Sequence, residues 1–251
     1  MFEIHVLASG SDGNCTVIQF DDEAVMIDAG VSYCKINRYM AQEGVDPGSI
    51  KALLLTHEHS DHTVGAGPTA RKLDIPVYCN MNTYRASKLG KVEHCETRTS
   101  ECFSVGGIRI TPLPTSHDAA EPNAFVAEMD GKKVLLATDT GKLTPRLEEA
   151  LAEADVAVIE SNYNRKMLAD GPYPVFLKRH IDSDRGHLSN EACAAALRRT
   201  MGGSRQVFLA HLSKTNNTPD VAREEVASLT GIRRMSLDCL EFQGDTRTIR
   251  F

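Results

Sequence analysis

The stretch His57-Glu58-His59-Ser60-Asp61-His62 contains three imidazoles and two carboxylates within six positions. It follows the apolar run 52–55, which is typical of a buried strand, so its polar groups are expected where that strand ends. Imidazole nitrogen combined with carboxylate oxygen suits zinc, iron or manganese, and no cysteine lies nearby to form a closed structural zinc site. The alternative is a polar turn that is rich in histidine by chance. The stretch predicts a metal site.

The histidine spacing differs from that of the helical zinc motif, in which two histidines lie four residues apart. On an extended stretch, residues i and i+2 point the same way, so His57 and His59 can share one metal. Asp61 and His62 lie further round the turn and can reach a second metal, whereas Glu58 points away and is not expected to be a ligand. The pattern H-x-H-x-D-H resembles the signature of the metallo-β-lactamase superfamily.

The composition is that of an ordinary soluble globular protein, with 251 residues of which 41% are hydrophobic and 25% charged. No linker divides the chain, so one domain over residues 1–251 is expected. The absence of a basic leader and of a long apolar segment predicts a protein without a membrane partner. Seven cysteines without a C-x-x-C pair favour reduced thiols and a cytoplasmic location. A formal charge of −6 gives no global attraction for nucleic acid.

Periodicity and turn residues predict an α/β protein with mixed sheets covered by helices on their outer faces. The segment from the end of the strand at Ile159 to Leu188 shows no regular pattern and is expected to be irregular. The predicted strands are Glu3–Ala8, Cys15–Phe20, Ala24–Asp28, Ile75–Cys79, Cys102–Val105, Ile108–Pro112, Ala124–Met129, Lys133–Thr138, Val156–Ile159 and Gln206–Ala210. The predicted helices are Ser32–Gln42, Thr69–Leu73, Asn82–Leu89, Thr144–Ala152, Ser189–Arg199 and one from Thr218 that ends before Gly231.

Three further polar residues follow apolar strand-like runs, namely His117, Asp139 and His211. Each is therefore expected to emerge at the edge of a sheet. Taken singly, each has an alternative interpretation as an ordinary polar residue at a strand end. Because all three follow the H-x-H-x-D-H stretch along the chain, they are candidates to complete a two-metal centre.

Several phrases resemble one group in particular, the YycJ/WalJ-type group of small metallo-β-lactamase-fold proteins, and the resemblance runs from residue 3 to about 219. It implies the αββα sandwich, with two facing mixed sheets, helices outside and metals at one rim. It also implies a metal-dependent phosphodiesterase, with 5′-end exonuclease action on DNA suggested for relatives. The phrases are Ser9-Gly10-Ser11-Asp12-Gly13-Asn14-Cys15, Ser116-His117-Asp118-Ala119, Thr138-Asp139-Thr140-Gly141, Glu160-Ser161-Asn162, Gly186-His187-Leu188-Ser189-Asn190 and residues 211–217.

The resemblance implies two divalent ions, with zinc foremost and manganese or iron as alternatives. Asp139 would bridge the two ions, and the nucleophile would be a metal-bridging hydroxide, so Asp61 is counted as catalytic as well as a ligand. No Ser/His/Asp or Cys/His constellation suggests a side-chain nucleophile instead. The implied ligands are His57, His59 and His117 for one ion, and Asp61, His62 and His211 for the other.

The bond that is cleaved depends on residues 160–190. Glu160 ends a buried strand and His187 precedes a helix, which resembles the nuclease and phosphodiesterase branches of the superfamily. There the acidic residue orients a loop histidine that donates a proton to the leaving oxygen. The alternative for His187 is a structural hydrogen bond at the start of the helix. Tyr163 stands where relatives often carry histidine, and no role is assigned to it.

Substrate contacts are expected from Ser9 and Asn14, which lie in a glycine-rich turn; the alternative is that this turn is a plain hairpin. Contacts with phosphate are also expected from Lys178 and Arg179; the alternative is that they are solvated surface residues. The substrate would be nucleic acid or a small phosphodiester, and the oligomeric state is not predicted. Three alternatives stay open: a thioesterase or lactonase with the same metals, iron-based oxygen chemistry, and non-catalytic binding stabilised by metal. The remaining three histidines, His5, His94 and His180, are interpreted as structural.

Overall fold

The computed structural model describes residues 2–201, 205–240 and 246–250, and within them the strands form two sheets. The first sheet has the order β14-β1-β2-β3-β4-β5-β6, in which β3 to β6 are parallel. Its strands are β1 (Phe2–Ala8), β2 (Cys15–Phe20), β3 (Glu23–Ile27), β4 (Ile50–Leu54), β5 (Val77–Cys79), β6 (His94–Glu96) and β14 (Arg247–Arg250).

The second sheet has the order β13-β12-β11-β10-β9-β8-β7, in which β10 to β13 are parallel and the other pairs antiparallel. Its strands are β7 (Phe103–Val105), β8 (Ile108–Pro114), β9 (Asn123–Met129), β10 (Lys132–Ala137), β11 (Val156–Glu160), β12 (Gln206–Ala210) and β13 (Leu237–Cys239).

Helices cover the outer face of each sheet. Helices α1 and α3 pack on the first sheet, α5, α8 and α9 pack on the second, and a separate apolar core fills the space between the sheets. The predicted αββα sandwich is confirmed. The helices are α1 (Tyr33–Glu43), α2 (Ser60–Thr63), α3 (Ala66–Leu73), α4 (Met81–Ala86), α5 (Pro145–Glu153), α6 (Arg165–Asp170), α7 (Val175–Ile181), α8 (Asn190–Arg199) and α9 (Pro219–Thr230).

The strand before the H-x-H-x-D-H stretch shows why its sequence is apolar without alternation. Ala52 and Leu54 face the core between the sheets, while Leu53 and Leu55 face the core under the helices. Both faces of β4 are therefore buried, which is typical of parallel strands covered on both sides. The strand ends at Leu54, and the ligand candidates follow in a loop and in the short helix α2.

Several strands end at the same edge of the sandwich, and we call this edge the rim. The carboxyl ends of β1, β3, β4, β8, β10, β11 and β12 all reach it, as expected for binding sites in sheets with parallel strands. At this rim Asp28, Asp139 and His211 adopt positive φ angles of 59°, 56° and 54°. Non-glycine residues rarely adopt this conformation, and it often marks a functional site.

The prediction that the segment between Ile159 and Leu188 is irregular is wrong in one respect, because the segment contains the helices α6 and α7. The two helices have only six and seven residues, less than two full turns, and Gly171, Pro172 and Pro174 separate them. A helical period cannot be recognised over so few residues. The segment has its own small core, in which Leu168 and Ile181 pack together.

The three short strands β6, β13 and β14 were also not predicted. None of the seven cysteines, all of which lie within the described ranges, forms a disulfide. Among the residues that the structure describes, no helix has the length and apolar character needed to cross a membrane.

Candidate metal centre

The first group of converging ligand atoms comes from His57, His59 and His117. His57 Nε2 lies 3.1 Å from His59 Nδ1, which lies 3.3 Å from His117 Nε2. His117 Nδ1 donates to the carbonyl oxygen of Gly186 at 2.9 Å, and His57 Nδ1 lies 3.0 Å from Thr56 Oγ1. A proton held on the outer ring nitrogen leaves the inner nitrogen with a free lone pair, as in metal-binding histidines.

The second group comes from Asp61, His62 and His211. Asp61 Oδ2 lies 3.4 Å from His62 Nε2 and 3.7 Å from His211 Nε2. The outer nitrogens are again held by acceptors, since His62 Nδ1 donates to Asp28 Oδ2 at 2.7 Å and His211 Nδ1 donates to Glu160 Oε1 at 3.2 Å. The inner nitrogens therefore face Asp61.

Asp139 lies between the two groups. Its Oδ2 is 3.1 Å from His62 Nε2, and its Oδ1 is 3.5 Å from His211 Nε2 and 3.7 Å from His117 Nε2. One carboxylate thus reaches ligand atoms of both groups, which is the geometry that a bridging ligand requires.

Two buried polar atoms at the centre have no hydrogen-bond partner, His211 Nε2 and Asp139 Oδ2. Polar atoms buried without a partner are costly, so native proteins satisfy nearly all of them. A cation among these atoms would satisfy both. Imidazole and carboxylate are also the donors that zinc and related divalent metals accept, so the residues present fit the metals.

The pKa values of His211 and Asp139 are shifted by the opposite charges that surround them. Burial tends to lower the pKa of His211, but the charge of Asp139, the nearby Asp61 carboxylate and the hydrogen-bonded Glu160 carboxylate raise it to about 10. Burial likewise opposes a charged Asp139, yet the imidazoles of His211 and His62 hold the pKa of this carboxyl well below its usual range. Protons on these imidazoles supply the positive charge that a bound metal would otherwise supply.

Glu160 and His187 form a hydrogen-bonded pair beside the two groups, with His187 Nδ1 at 2.7 Å from Glu160 Oε1. Glu160 is fully buried and its Oε2 accepts a hydrogen bond from the Thr140 backbone N–H at 2.8 Å. The side chain of His187 remains 21% exposed, so a substrate can reach it. Burial tends to lower the pKa of His187, but the charge of Glu160 raises it, which favours the protonated form.

The two residues of the glycine-rich turn contact the ligand residues. Ser9 Oγ accepts a hydrogen bond from the backbone N–H of His211 at 3.0 Å. The backbone N–H of Asn14 donates to the Asp61 carbonyl at 2.8 Å, and Asn14 Nδ2 lies 3.0 Å from His62 Nε2. Both side chains are buried, so they support the ligand residues from the interior of the sandwich. Their predicted contact with phosphate stays a prediction.

The other sequence candidates lie outside the groups of converging ligand atoms found in the described residues. Lys178 Nζ donates to the carbonyl oxygen of Ala169 at 2.6 Å, and Arg179 is exposed on α7. Glu58 Oε1 accepts a hydrogen bond from the Ala120 backbone N–H at 2.8 Å, and Glu58 belongs to none of the groups of converging ligand atoms found in the described part of the chain.

The histidines interpreted as structural are also absent from those groups. His5 Nδ1 lies 2.8 Å from Thr248 Oγ1, and His94 Nε2 donates to the Cys79 carbonyl oxygen at 3.0 Å. His180 lies at the surface on α7.

Two supports of the centre were not predicted from the sequence, Asp28 and the Gly186 carbonyl. Asp28 accepts hydrogen bonds from the backbone N–H and hydroxyl of Thr56, at 2.9 and 2.8 Å, in addition to the bond from His62. It directly follows β3, so the strand-end pattern that identified Asp139 could have found it. A backbone carbonyl such as that of Gly186 leaves no signal in the sequence.

The sandwich and the histidine and aspartate groups at its rim define a metallo-hydrolase of the β-lactamase superfamily. A family model described as a beta-lactamase superfamily domain matches residues 23–212, and the chain belongs to this family.

Two relatives are similar over most of their length. Exodeoxyribonuclease WalJ of Streptococcus pneumoniae serotype 2 strain D39 is 38% identical over 229 residues, covering 88% of this chain and 85% of the relative. Exodeoxyribonuclease YycJ of Bacillus anthracis is 36% identical over 231 residues, covering 89% and 87%. The crystal structure of YhfI from Bacillus subtilis shares the fold, with a TM-score of 0.76 at 16% identity over 98% of this chain and 99% of that one.

These similarities confirm the predicted group, fold and enzyme class, a metal-dependent hydrolase. The superfamily fold together with the histidine and aspartate groups implies that the chain binds divalent metals.

Proposed function

We propose that this chain is a dinuclear metal-dependent exonuclease that hydrolyses phosphodiester bonds in DNA from the 5′ end. The observation that carries the proposal is the Glu160–His187 pair, which places a proton donor beside two groups of metal ligands. The relatives that are named exodeoxyribonucleases support DNA as the substrate.

The proposed ligands are the six residues of the two converging groups, with Asp139 shared between them. Zinc is the first choice of metal, and manganese and iron are the alternatives because their preferred ligands overlap. When bound, such a pair of metals supplies an activated water near neutral pH and polarises the bond under attack. The site residues are His57, His59, His117, Asp61, His62, His211 and Asp139.

The chain's own contribution to bond cleavage is the proton on His187. Hydrolysis of a phosphodiester expels an alkoxide, which is a poor leaving group unless it receives a proton. Glu160 accepts a hydrogen bond from His187 Nδ1–H, which leaves Nε2–H as the donor toward the leaving oxygen. A thioesterase expels a thiolate, which is a better leaving group, and has less need of this pair, which favours the phosphodiesterase over the thioesterase.

The direct test is hydrolysis by the metal-loaded protein of bis(p-nitrophenyl) phosphate, end-labelled single- and double-stranded DNA, matched RNA, and a thioester panel, each with zinc, manganese or iron. We expect DNA to be degraded from its 5′ end and thioesters to react more slowly than phosphodiesters. Asp61→Ala should abolish turnover while circular dichroism shows an unchanged fold. Wild-type rates in Asp61→Ala, or faster turnover of thioesters, would contradict the proposal.

The role of His187 is tested by leaving-group dependence. His187→Ala should slow cleavage of an alkyl phosphodiester by roughly 10²- to 10⁴-fold, the usual contribution of a general acid. It should slow bis(p-nitrophenyl) phosphate much less, because p-nitrophenolate leaves without a proton. The two substrates serve as each other's control, and an equal loss for both would remove the proton-donor role.

A further inference from the structure

Helix α7 has two different sides. Leu177 and Ile181, four residues apart, belong to the small core that α6 and α7 share. Phe176, Arg179 and His180 are spaced three and four residues apart, so they share another side of the same helix. The helix therefore presents an aromatic ring and a basic group together, away from its own core.

Phe176 is exposed to an unusual degree for its type. It is 75% exposed, and no other phenylalanine or tyrosine within residues 2–201, 205–240 and 246–250 is classed as exposed. The chain contains no tryptophan. The neighbouring Val175 is also 64% exposed, so this is an apolar surface of two adjacent residues. A large ring left in water at a defined place is the kind of side chain that binds a flat partner.

The exposed side of α7 contacts the segment that carries the ligand candidate His117. His180 Nε2 lies 3.9 Å from Asp118 Oδ2, and Asp118 directly follows the ligand candidate His117. Arg185 also reaches this segment, with a terminal nitrogen 3.5 Å from Asp118 Oδ1. Phe176 precedes His180 by four residues, which is about 6 Å along the helix axis.

Basic residues lie on and beside α7, although the whole chain has a net charge of −6. A pocket of about 200 Å³ between α6 and α7 is lined in part by Arg165, Lys178 and Arg179. Arg165 pairs with Asp182 and Glu191, whereas Arg179 lies exposed on the side of Phe176. Asp182 lines the same pocket, and Lys178 Nζ donates to the Ala169 carbonyl oxygen, so Arg179 is the candidate among the three for binding an anion.

We propose that the Phe176 side of α7 binds the single-stranded end of DNA, with one base stacked on the Phe176 ring and an adjoining phosphate held by Arg179. The inference rests on the proposed function and deepens it. A base inside a duplex is already stacked on both faces, so an aromatic platform selects unpaired ends. Stacking is tolerant of sequence because every base has a π face.

The first test compares Phe176→Ala with the wild type on a single-stranded oligodeoxynucleotide and on bis(p-nitrophenyl) phosphate, which contains no base. Loss of one stacked base should lower kcat/KM on the oligonucleotide by roughly 5- to 150-fold, mainly through KM. The rate on bis(p-nitrophenyl) phosphate should not change. Phe176→Trp should restore or improve the DNA rate. Leu229→Ala, at a 40% exposed position on α9, is the matched control and should behave as the wild type.

The second test identifies the base. A series of oligonucleotides, each with one abasic position near the 5′ end, should contain one position that slows the wild type but has no further effect on Phe176→Ala. Arg179→Gln should raise KM for DNA and reduce its dependence on salt, because one phosphate contact is lost.

Equal kcat/KM of wild type and Phe176→Ala on DNA, or an equal loss on DNA and on bis(p-nitrophenyl) phosphate, would overturn the stacking proposal. These outcomes differ from failure of the proposed function, in which the wild type itself leaves DNA intact. In that case fluorescence anisotropy with a labelled oligonucleotide still tests the surface, since Phe176→Ala should bind it more weakly than the wild type, and equal binding would overturn the inference.

Discussion

Asp28 braces the second group of ligands although it is not itself in a converging group. Its two carboxylate oxygens accept three hydrogen bonds, two from Thr56 and one from His62 Nδ1. The last of these fixes the proton on the outer nitrogen of His62 and turns Nε2 inward. Burial tends to lower the pKa of His62, but the charges of Asp28 and Asp139 and their hydrogen bonds together raise that pKa well above its ordinary value.

Asp28→Asn is expected to weaken metal binding by about 10- to 100-fold, the usual effect of losing a hydrogen-bond partner of a metal-binding histidine. An asparagine keeps the size and the positive φ of residue 28, but its neutral amide is a weaker acceptor for His62. Titration of the metal-free protein with zinc measures the change.

The matched control is Asp130→Asn, at an exposed hairpin position with a φ of 49°. It makes the same chemical change in the same backbone conformation, away from the centre, and should leave the zinc affinity unaltered. Equal affinities of Asp28→Asn and the wild type would show that Asp28 does not support His62.

At the scale of the elements, the positions of the ligand candidates follow from strands that end at one rim. His117, Asp139 and His211 each come after an apolar run, so sequence alone was sufficient to select them. Their position at the rim could be predicted because a fully buried strand is apolar throughout and a polar residue after it is conspicuous. Asp28 also follows a buried strand, but the sequence placed it within the predicted strand Ala24–Asp28, so it was not recognised as a polar residue after the strand end.

The α6–α7 segment shows what sequence patterns could not provide. Its helices are too short to show a period, so their existence and their position over the rim were not predicted. The contact of Gly186 with His117 depends on how this segment folds back. Such contacts between distant residues are decided by packing rather than by local pattern.

Gly186→Ala should impair the centre through this segment. A Cβ atom at residue 186 would lie 2.2 Å from the His180 carbonyl oxygen and 2.3 Å from that of Ile181, so the backbone must shift. The shift would displace the carbonyl that holds His117 and the adjacent His187. Since misplacement by about 1 Å can cost about 100-fold in rate, we expect a loss of that order in kcat on DNA.

Gly44→Ala is the control for the loss of a glycine. Gly44 ends α1 with a φ of 73°, and a Cβ there meets no atom within 4 Å. It should lower the free energy of unfolding by about 1 kcal/mol because of the left-handed backbone, without changing kcat. Full activity in Gly186→Ala would show that this segment does not position the centre.

For the whole molecule, the centre joins the two sheets. His57, His59 and His62 follow β4 of the first sheet, whereas Asp139 and His211 follow strands of the second. Direct hydrogen bonds also cross the rim, among them those from the His211 N–H to Ser9 Oγ and from the Asn123 N–H to the Thr56 carbonyl oxygen. Metal ions held by ligands from both sheets would therefore tie the halves of the sandwich together.

Removal of the metals is accordingly expected to lower the Tm. At a free metal concentration of about 100 times Kd, binding stabilises the native state by about 2.7 kcal/mol. For a chain of this size each kcal/mol corresponds to about 2–4 °C, so a chelator should lower the Tm by about 5–10 °C in differential scanning calorimetry. His187→Ala should keep this shift, because His187 serves the substrate, while Asp139→Ala should lose most of it. A Tm that does not respond to chelator, or the same response in Asp139→Ala as in the wild type, would mean that the rim groups do not bind metal across the sheets.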